Sequence, residues 1–429
     1  MLYLNEDFEG GATNFFTNRY EYYALMYRLH FNLVTNSECN KICLSVRPKP
    51  GTVIIFEHDL WHEGAPVHKG TKIVMRSDVI YKCALPTPSL NEEIVDILSD
   101  TMPSGPPDYK RPIGTPRVLS GHENYVWSLA RLDDVTFATG SRDKTIRIWN
   151  IRTGQCHAVL KGHRRSILAL CKKSTDDVVT FASGARDSCL KVWVGPSEGH
   201  PDWRCLSSVE AHPGGNVLSL METRERVLWS GSSDALIKGW CLTPENTLEC
   251  IATLKGHTGW VWSLCELDGG LVGSASEDMT IRIWDPIREL CVSVLRPSES
   301  PVLSLRQLSD SRLISGSMDG VIRFWRRTCS NVYDKEEDKS TWECTESIEG
   351  HSKHVRCLME LPGGHLASGS EDMTVKIWRL KDDSLERDCL ATLTHRNYVR
   401  EIGTTADGSA LVSVGYDAAV RVWTFASAT

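Results

Sequence analysis

Histidine, serine or threonine, and aspartate recur in that order along most of the chain, and these residue types could together activate a nucleophile. The first set consists of His122, Thr139 and Asp143, and Trp149 follows six residues after the aspartate. The same combination returns in later segments of the chain. Because an enzyme needs one active site rather than many copies, we interpret these residues as a repeated structural lock and not as a catalytic centre.

The spacing of these lock residues is regular. Seven tryptophans lie 41 to 53 residues apart, and each follows an aspartate by six residues. A period of this length indicates a repeat protein, in which each repeat is one structural unit. Four full sets of lock residues are predicted: His122, Thr139, Asp143 and Trp149; His163, Ser183, Asp187 and Trp193; His257, Ser274, Asp278 and Trp284; and His351, Ser368, Asp372 and Trp378.

Each repeat has the pattern of a small antiparallel sheet. A hydrophobic run such as 126–132 is followed by a serine-rich turn that ends in aspartate, and then by a β-branched strand such as 144–149. Short strands separated by Gly, Asp and Ser predict antiparallel β structure. Together with the Gly-His and Trp signatures, the pattern resembles the WD40 repeat over residues 115–429. The resemblance implies an all-β fold, a seven-bladed β-propeller, in which the lock residues of a blade form a hydrogen-bonded tetrad.

The order of the repeats predicts how the ring closes. The last repeat ends after its third strand, and residues 116–122 precede the first complete repeat. We therefore expect 116–122 to supply the missing outer strand, which would leave no open sheet edge at the junction. The fifth repeat carries Pro297-Ser298 in place of Gly-His, so we expect its blade to lack the tetrad and to be locally weaker.

The resemblance also places partner contacts next to the first strand of each blade and just before the aspartate. These positions hold aromatic and arginine residues, which dominate the energetics of protein interfaces. Arginine also pairs bidentately with carboxylate or phosphate. We therefore expect an acidic or phosphorylated peptide with an apolar anchor. The predicted partner-binding residues are Tyr125, Trp127, Arg142, Arg186, Trp260, Trp262, His354, Arg356, Tyr398 and Arg400.

Residues 1–83 carry a different signature. The blocks at 3–16 and 46–81 resemble the C-terminal half of a prolyl-4-hydroxylase-like Fe(II)/2-oxoglutarate dioxygenase, a double-stranded β-helix (jelly-roll) fold. The resemblance implies that His62 binds iron and that Lys72, or Arg76 as second choice, binds the carboxylate of 2-oxoglutarate. The upstream His-x-Asp pair that would complete the iron site is absent. We therefore expect a partial, inactive domain, followed by a linker with one short helix over 84–114.

Composition narrows the function classes. The net charge of -7 gives no reason to expect nucleic acid, and no apolar run is long enough to span a membrane. No signal peptide is recognisable at the start of the sequence, which favours a cytoplasmic or nuclear protein. The oligomeric state is left open.

Three functions remain open from the sequence. The first is an interaction scaffold built on the propeller. The second is a 2-oxoglutarate-dependent hydroxylase, N-terminally truncated in this sequence, that would use Fe(II) and 2-oxoglutarate and whose propeller recruits the substrate. The third is a cullin-ligase substrate receptor, because Trp149-Asn150-Ile151-Arg152 resembles the Trp-Asp-x-Arg element of propellers that dock on cullin adaptors.

Overall fold

Two compact units make up the chain, one over Met1–Asp100 and one over Thr101–Thr429. The computed structural model describes residues 107–174, 178–197, 200–328, 341–380 and 388–427, together with seven short strands before residue 76. The described part of the chain contains no helix with the length and hydropathy of a membrane span. In the same residues, no three His, Cys, Asp or Glu side chains are grouped closely enough to hold a metal ion.

The first unit is described only as backbone strands. β1 pairs with β7, β2 with β6, and β3 with both β4 and β5, all antiparallel. His62 is the first residue of β5, whereas Lys72, Arg76 and the expected linker helix lie outside the described residues. The jelly-roll segment therefore stays a prediction. The strands are β1 Leu2–Tyr3, β2 Phe8–Gly10, β3 Thr13–Phe16, β4 Ile42–Val46, β5 His62–Gly64, β6 Val67–Gly70 and β7 Val74–Met75.

The second unit consists of seven antiparallel sheets, which we number as blades 1 to 7 in chain order. In each blade the strands follow one another from the inside of the ring to the outside. The strands of the first three blades are β10 Val126–Arg131, β11 Thr136–Ser141, β12 Thr145–Asn150 and β13 Cys156–Lys161; β14 Ile167–Lys173, β15 Thr180–Ala185, β16 Cys189–Val194 and β17 Arg204–Glu210; and β18 Val217–Glu222, β19 Leu228–Ser232, β20 Ile237–Leu242 and β21 Leu248–Leu254.

The next three blades repeat this order. Their strands are β22 Val261–Leu267, β23 Leu271–Ser276, β24 Ile281–Asp285 and β25 Leu290–Leu295; β26 Val302–Gln307, β27 Leu313–Ser317, β28 Val321–Thr328 and β29 Thr341–Glu349; and β30 Val355–Leu361, β31 His365–Ser370, β32 Thr374–Arg379 and β33 Cys389–Thr394. Each inner strand packs against the inner strand of the next blade.

Blade 7 closes the ring with strands from both ends of the unit. It contains β34 Val399–Thr404, β35 Ala410–Gly415 and β36 Ala419–Ser427. The predicted closing strand is confirmed, because β9 (Arg117–Ser120) pairs with the first half of β36. A further strand, β8 (Pro107–Pro112), pairs with the second half of β36. β8 lies within the segment expected to be linker, so the sheets of the propeller begin upstream of residue 115.

The hydrophobic core is divided into seven clusters, and each cluster lies between two neighbouring blades. Trp149 of blade 1, for example, packs with Val412 and Val420 of blade 7. The second strands are buried on both faces, because a blade is covered on both sides. A Cβ atom added at Gly140 would lie 2.5 Å from Ile167 of blade 2, so glycine permits this close contact. The fold is thus held by contacts between blades rather than within them.

Candidate functional site

The inner strands of all seven blades line a central channel of about 930 Å³. One end of the channel is the end at which the inner strands begin. There Trp127 of blade 1 and Trp262 of blade 4 both contact Arg400 of blade 7. The Cζ atom of Arg400 lies 5.7 Å from the ring centre of Trp127 and 5.6 Å from that of Trp262. We call Trp127, Trp262, Arg356 and Arg400 the channel mouth.

Aromatic residues extend from the channel mouth across blades 1 and 7. Tyr416 packs against Trp127, Tyr125 and Tyr398, with ring centres 5.1, 4.8 and 5.5 Å apart. On the opposite side, Trp260 packs against Trp262 at 5.4 Å. Trp260 is 45% exposed, so a flat apolar surface at the rim faces solvent. Such a ring can act as an anchor point for a partner.

Two exposed arginines lie over this aromatic surface. Arg142 stacks over Tyr125 at 5.3 Å and Arg186 over Trp127 at 5.5 Å. Among the described residues, neither guanidinium has an acidic partner. Both arginines follow the second strand of their blade, where the turn projects toward the channel mouth. Their charges are therefore available to an incoming anion.

The acidic residues of this surface are already engaged. Glu371 accepts a hydrogen bond from Nε of Arg356 at 2.6 Å, and it also lies 3.0 Å from His354. Glu277 accepts a hydrogen bond from the indole nitrogen of Trp262. Arg142 and Arg186 therefore add positive charge that these two carboxylates do not pair with, although the whole chain is acidic.

All ten predicted partner-binding residues belong to this one contact network. Arg356 joins the other residues because its Cζ atom lies 5.4 Å from the ring centre of Trp262. This contact and those given above, with Tyr416 and Glu371 as links, bring together Tyr125, Trp127, Arg142, Arg186, Trp260, Trp262, His354, Arg356, Tyr398 and Arg400. Tyr416, Glu277 and Glu371 were missed from the sequence. Each of them directly precedes the aspartate of its repeat, so the rule that selected Arg142 and Arg186 would have found them if applied to every repeat.

The lock residues meet beside this surface. In blade 1, Nδ1 of His122 lies 2.7 Å from Asp143, and Nε2 lies 2.8 Å from the hydroxyl of Thr139. Trp149 donates to the same hydroxyl at 2.8 Å. The corresponding bonds join the other three predicted sets, at 2.7 to 3.1 Å. Blade 3 has the same arrangement through His212, Ser230, Asp234 and Trp240.

The histidine holds the pKa of its aspartate low. Burial raises the pKa of Asp187, but hydrogen bonds and charge from His163 outweigh burial and lower it to about 2. Asp143, Asp278 and Asp372 also have lowered pKa values, since each accepts hydrogen bonds from a histidine and a threonine against the opposing effect of burial. These carboxylates are consequently ionised and fully bonded at neutral pH, which suits a structural role.

Six segments of the chain match the family model described as WD domain, G-beta repeat. Together these segments cover more than half of the residues of the chain. The matched segments are 113–150, 154–194, 248–285, 289–326, 342–379 and 387–424. The chain belongs to the WD40 repeat family. Strands β18 to β20 of blade 3 lie outside the matched segments, yet this blade carries the same His–Ser–Asp–Trp bonds as blades 2, 4 and 6.

Curated relatives share this WD40 region. The chain is 27% identical over 312 residues to nuclear distribution protein nudF 1 of Talaromyces marneffei, across 64% of this chain and 61% of that protein. It is 25% identical to nuclear distribution protein PAC1 of Gibberella zeae, across 83% and 71%. It is 30% identical to cell division control protein 4 of Saccharomyces cerevisiae, across 62% of this chain and 32% of that protein. The chain thus spans less than two thirds of the first and third of these relatives.

A solved WD40 structure has the same fold. The crystal structure of the WD40 beta propeller domain of Doa1 superposes with a TM-score of 0.59 and 24% sequence identity, covering 72% of this chain and 95% of that chain. The likeness supports the propeller architecture. A WD40 propeller of this kind indicates a protein-interaction scaffold and protein partners.

Proposed function

We propose that this WD40 propeller recruits a partner protein by binding an acidic or phosphorylated peptide at the channel mouth. The observation that carries the proposal is the pair Arg142 and Arg186, each exposed, stacked on an aromatic ring and without an acid among the described residues. Stacked guanidinium groups present their donors in a fixed plane, which matches carboxylate and phosphate. Trp260, on the opposite side of the channel mouth, supplies the apolar contact.

Charge reversal tests this function. The double variant Arg142→Glu and Arg186→Glu should weaken the binding of an acidic or phosphorylated peptide library by at least about 10-fold, since each charge-assisted bond is worth about 1.5–3 kcal/mol. Fluorescence anisotropy at two salt concentrations measures the loss. Arg204→Glu with Arg296→Glu is the matched control, because both arginines are exposed and lie on or beside outer strands. Equal affinity for both double variants would contradict the proposal.

Docking on a cullin adaptor is a second candidate, favoured by the geometry of one turn. Asn150 Oδ1 accepts hydrogen bonds from the backbone nitrogens of Arg152 and Thr153, both at 3.0 Å. Asp285 of blade 4 makes the equivalent bonds at 3.0 and 3.1 Å. Asparagine therefore builds the turn as aspartate does and leaves Arg152 exposed. Arg152→Glu should abolish co-purification with a cullin adaptor, and the absence of any complex with the unmodified chain would remove this candidate.

We separately propose, from the sequence motifs alone, that residues 1–83 are an oxygenase-like segment. The side chain of His62 is not described, and Lys72 and Arg76 lie outside the described residues. If the site is complete in the native protein, His62 would be one iron ligand, and Lys72 or Arg76 would bind the distal carboxylate of 2-oxoglutarate. Calorimetric titration of the chain with Fe(II) should show no tight site, and a 1:1 site would contradict our expectation of an inactive domain.

A further inference from the structure

Arg400 is a buried cation that forms no ion pair with any of the described residues. It is the second residue of β34 and is only 7% exposed. No hydrogen bond or ion pair of its guanidinium is found among the described residues, and its Nε atom is buried without a partner. Its neighbour Arg356 differs, because Glu371 satisfies that guanidinium. A buried charge that is left unpaired is costly, which indicates that Arg400 has a role outside the fold.

The carboxyl group next to Arg400 is a poor counter-ion. Burial raises the pKa of Glu401 to about 7, against the opposing effect of Arg400 and Arg306. Burial and the charge of Arg356 lower the pKa of Arg400.

A second unsatisfied donor lies beside Arg400. The indole nitrogen of Trp127 is buried and has no hydrogen-bond partner in the part of the chain that the structure describes. Buried donors are almost always satisfied in native proteins. The guanidinium of Arg400 lies against this same indole ring at 5.7 Å. Two unsatisfied donors, one of them charged, therefore meet at a channel mouth that is open to solvent through the channel.

From this arrangement we propose that Arg400 and Trp127 form an anion pocket that receives one carboxylate or phosphate group of a bound peptide. The pocket deepens the function proposed above and rests on it for the peptide, while Arg142 and Arg186 would hold the flanking residues at the rim. Arg400 is confined between the indoles of Trp127 and Trp262, so little side-chain freedom is lost when an anion arrives. Arg186 adds a positive field from the other blade that borders Trp127.

Small anions test the pocket directly. We expect acetate, methyl phosphate or both to bind the full chain with 1:1 stoichiometry in calorimetric titration. Comparison of the two titrations shows whether the pocket prefers a carboxylate or a phosphate group. Arg400→Met should weaken that binding by at least about 10-fold. Arg204→Glu reverses an exposed charge on β17, away from the pocket, and should leave the affinity within about 2-fold. Saturation by neither anion would overturn the pocket.

Two further variants keep the test decisive if Arg400→Met does not fold. Arg400→Lys retains the charge but loses the planar donors, and it should bind the preferred anion with intermediate affinity. Trp127→Phe retains the ring and removes only the N–H donor, and it should weaken the anion by about 3-fold or more. Unchanged anion affinity in both variants, with circular dichroism and Tm near those of the parent chain, would overturn the pocket.

The outcomes separate the pocket from the broader function. If Arg400→Met leaves peptide and anion affinity unchanged while the Arg142 and Arg186 reversal weakens the peptide, the pocket fails and the proposed function stands. If the reversal has no effect but Arg400→Met removes binding of the small anion, the pocket stands and the rim function fails.

Discussion

Blades 1 and 4 hold their lock aspartate with a histidine, whereas blades 5 and 7 hold it with an arginine. In blade 5, Ser298 occupies the histidine position and donates to Asp319 at 3.0 Å, and Arg323 donates to the same oxygen at 2.8 Å. In blade 7, His395 is present, but Arg421 forms an ion pair with Asp417 at 2.5 Å. In each of these four blades the carboxylate thus lies against a histidine or an arginine side chain, and the histidine is one of two ways to provide this partner.

The aspartate is constant because of the turn that follows it. In every blade the next residue has positive φ, between 59° and 82°, a conformation that is unfavourable for residues other than glycine. An oxygen of the aspartate bonds the backbone nitrogen two residues later, as Asp143 does with Thr145 and Asp319 with Val321. The blade without a histidine is also the blade with glycine at this position, Gly320. Fewer restraints on the aspartate therefore coincide with a turn that is less strained.

The fifth blade lacks the full tetrad, as expected, but its aspartate and tryptophan remain bonded. Trp325 still donates to Ser315 at 2.9 Å. The predicted local weakness of this blade stays a prediction, since the contacts of Ser298 and Arg323 offset part of the loss. Stability measurements on variants of the two kinds of blade can separate these contributions.

The largest effect is expected for Arg421→Met in blade 7. The side chains of Arg421 and Asp417 are only 6% and 12% exposed, and removing one partner of a buried ion pair costs about 3–5 kcal/mol. Urea unfolding measures the loss in free energy of unfolding. Arg282→Met is the control in blade 4, where the guanidinium stacks on Trp284 and is not needed by Asp278; we expect about 1 kcal/mol or less there. Similar losses would show that both blades depend on the arginine equally.

The next effect concerns pH and His395. Burial first, and the charge of Arg421 second, lower the pKa of His395 from 6.5 to about 3. The unfolded chain therefore binds a proton below pH 6.5 that the folded chain does not, so stability falls as the pH drops from 6.5 toward 3. The slope is about 1.4 kcal/mol per pH unit for one such group. Burial also lowers the pKa of His257, so His395→Gln should reduce the slope without removing it.

Trp423→Phe provides the control for that pH profile. It removes the hydrogen bond to Ser413 in the same blade but leaves the titrating imidazole in place. Its stability should fall at every pH while the slope between pH 6.5 and 4.5 stays that of the parent chain. Measurements above pH 4.5 avoid protonation of the lock aspartates. Their lowered pKa values cause a further loss of stability only as the pH falls below about 4. If the stability of His395→Gln depended on pH as steeply as that of the parent chain, His395 would not be the titrating group.

The smallest effect is expected for His122→Ala in blade 1. The change leaves Asp143 and Thr139 each without one bond in a buried site, which costs about 1–3 kcal/mol. Thermal and urea unfolding measure it. The companion variant Ser298→Ala in blade 5 should lose less, because Arg323 still bonds Asp319. An unchanged Tm for His122→Ala would remove the tetrad argument for blade 1, and a larger loss for Ser298→Ala would reverse the comparison.

The repeat, the number of blades and the closing strand follow from the sequence, because the tryptophan spacing and the position of 116–122 depend only on chain order. The sequence does not predict whether a blade pairs its aspartate with a histidine or with an arginine. Arg282 and Arg421 occupy the same place four residues after their aspartate, and each faces a valine of its outer strand. The guanidinium of Arg282 nevertheless reaches Cys291, whereas that of Arg421 pairs with Asp417. The outer strand of blade 7 comes from the other end of the unit, so its chemistry is invisible in the repeat itself.

The sequence predicts which residues form the candidate site, but it does not predict which of their side chains are buried. The positions of Arg400 and Arg356 relative to the first valine of their repeats are identical, and the sequence marks both as rim arginines. The difference lies in their partners: Trp127 and Trp262 of other blades cover Arg400, whereas Glu371 of the same blade neutralises Arg356. The contacts of Arg400 with Trp127 and Trp262 arise only when the blades are assembled in the ring.

Closure of the ring by β8 and β9 has a consequence for the order of folding. Tyr109 of β8 donates a hydrogen bond to the backbone of Gly408, 299 residues later in the chain, and β9 pairs with β36 over a similar separation. Contacts this distant in sequence form slowly, because a long loop must close before they contribute. During synthesis, blades 1 to 6 can pack in succession, but β9 cannot pair until the last strand has left the ribosome. Until then the faces of blades 1 and 7 that form their shared core stay open, and this final step is the one most exposed to misassembly between chains.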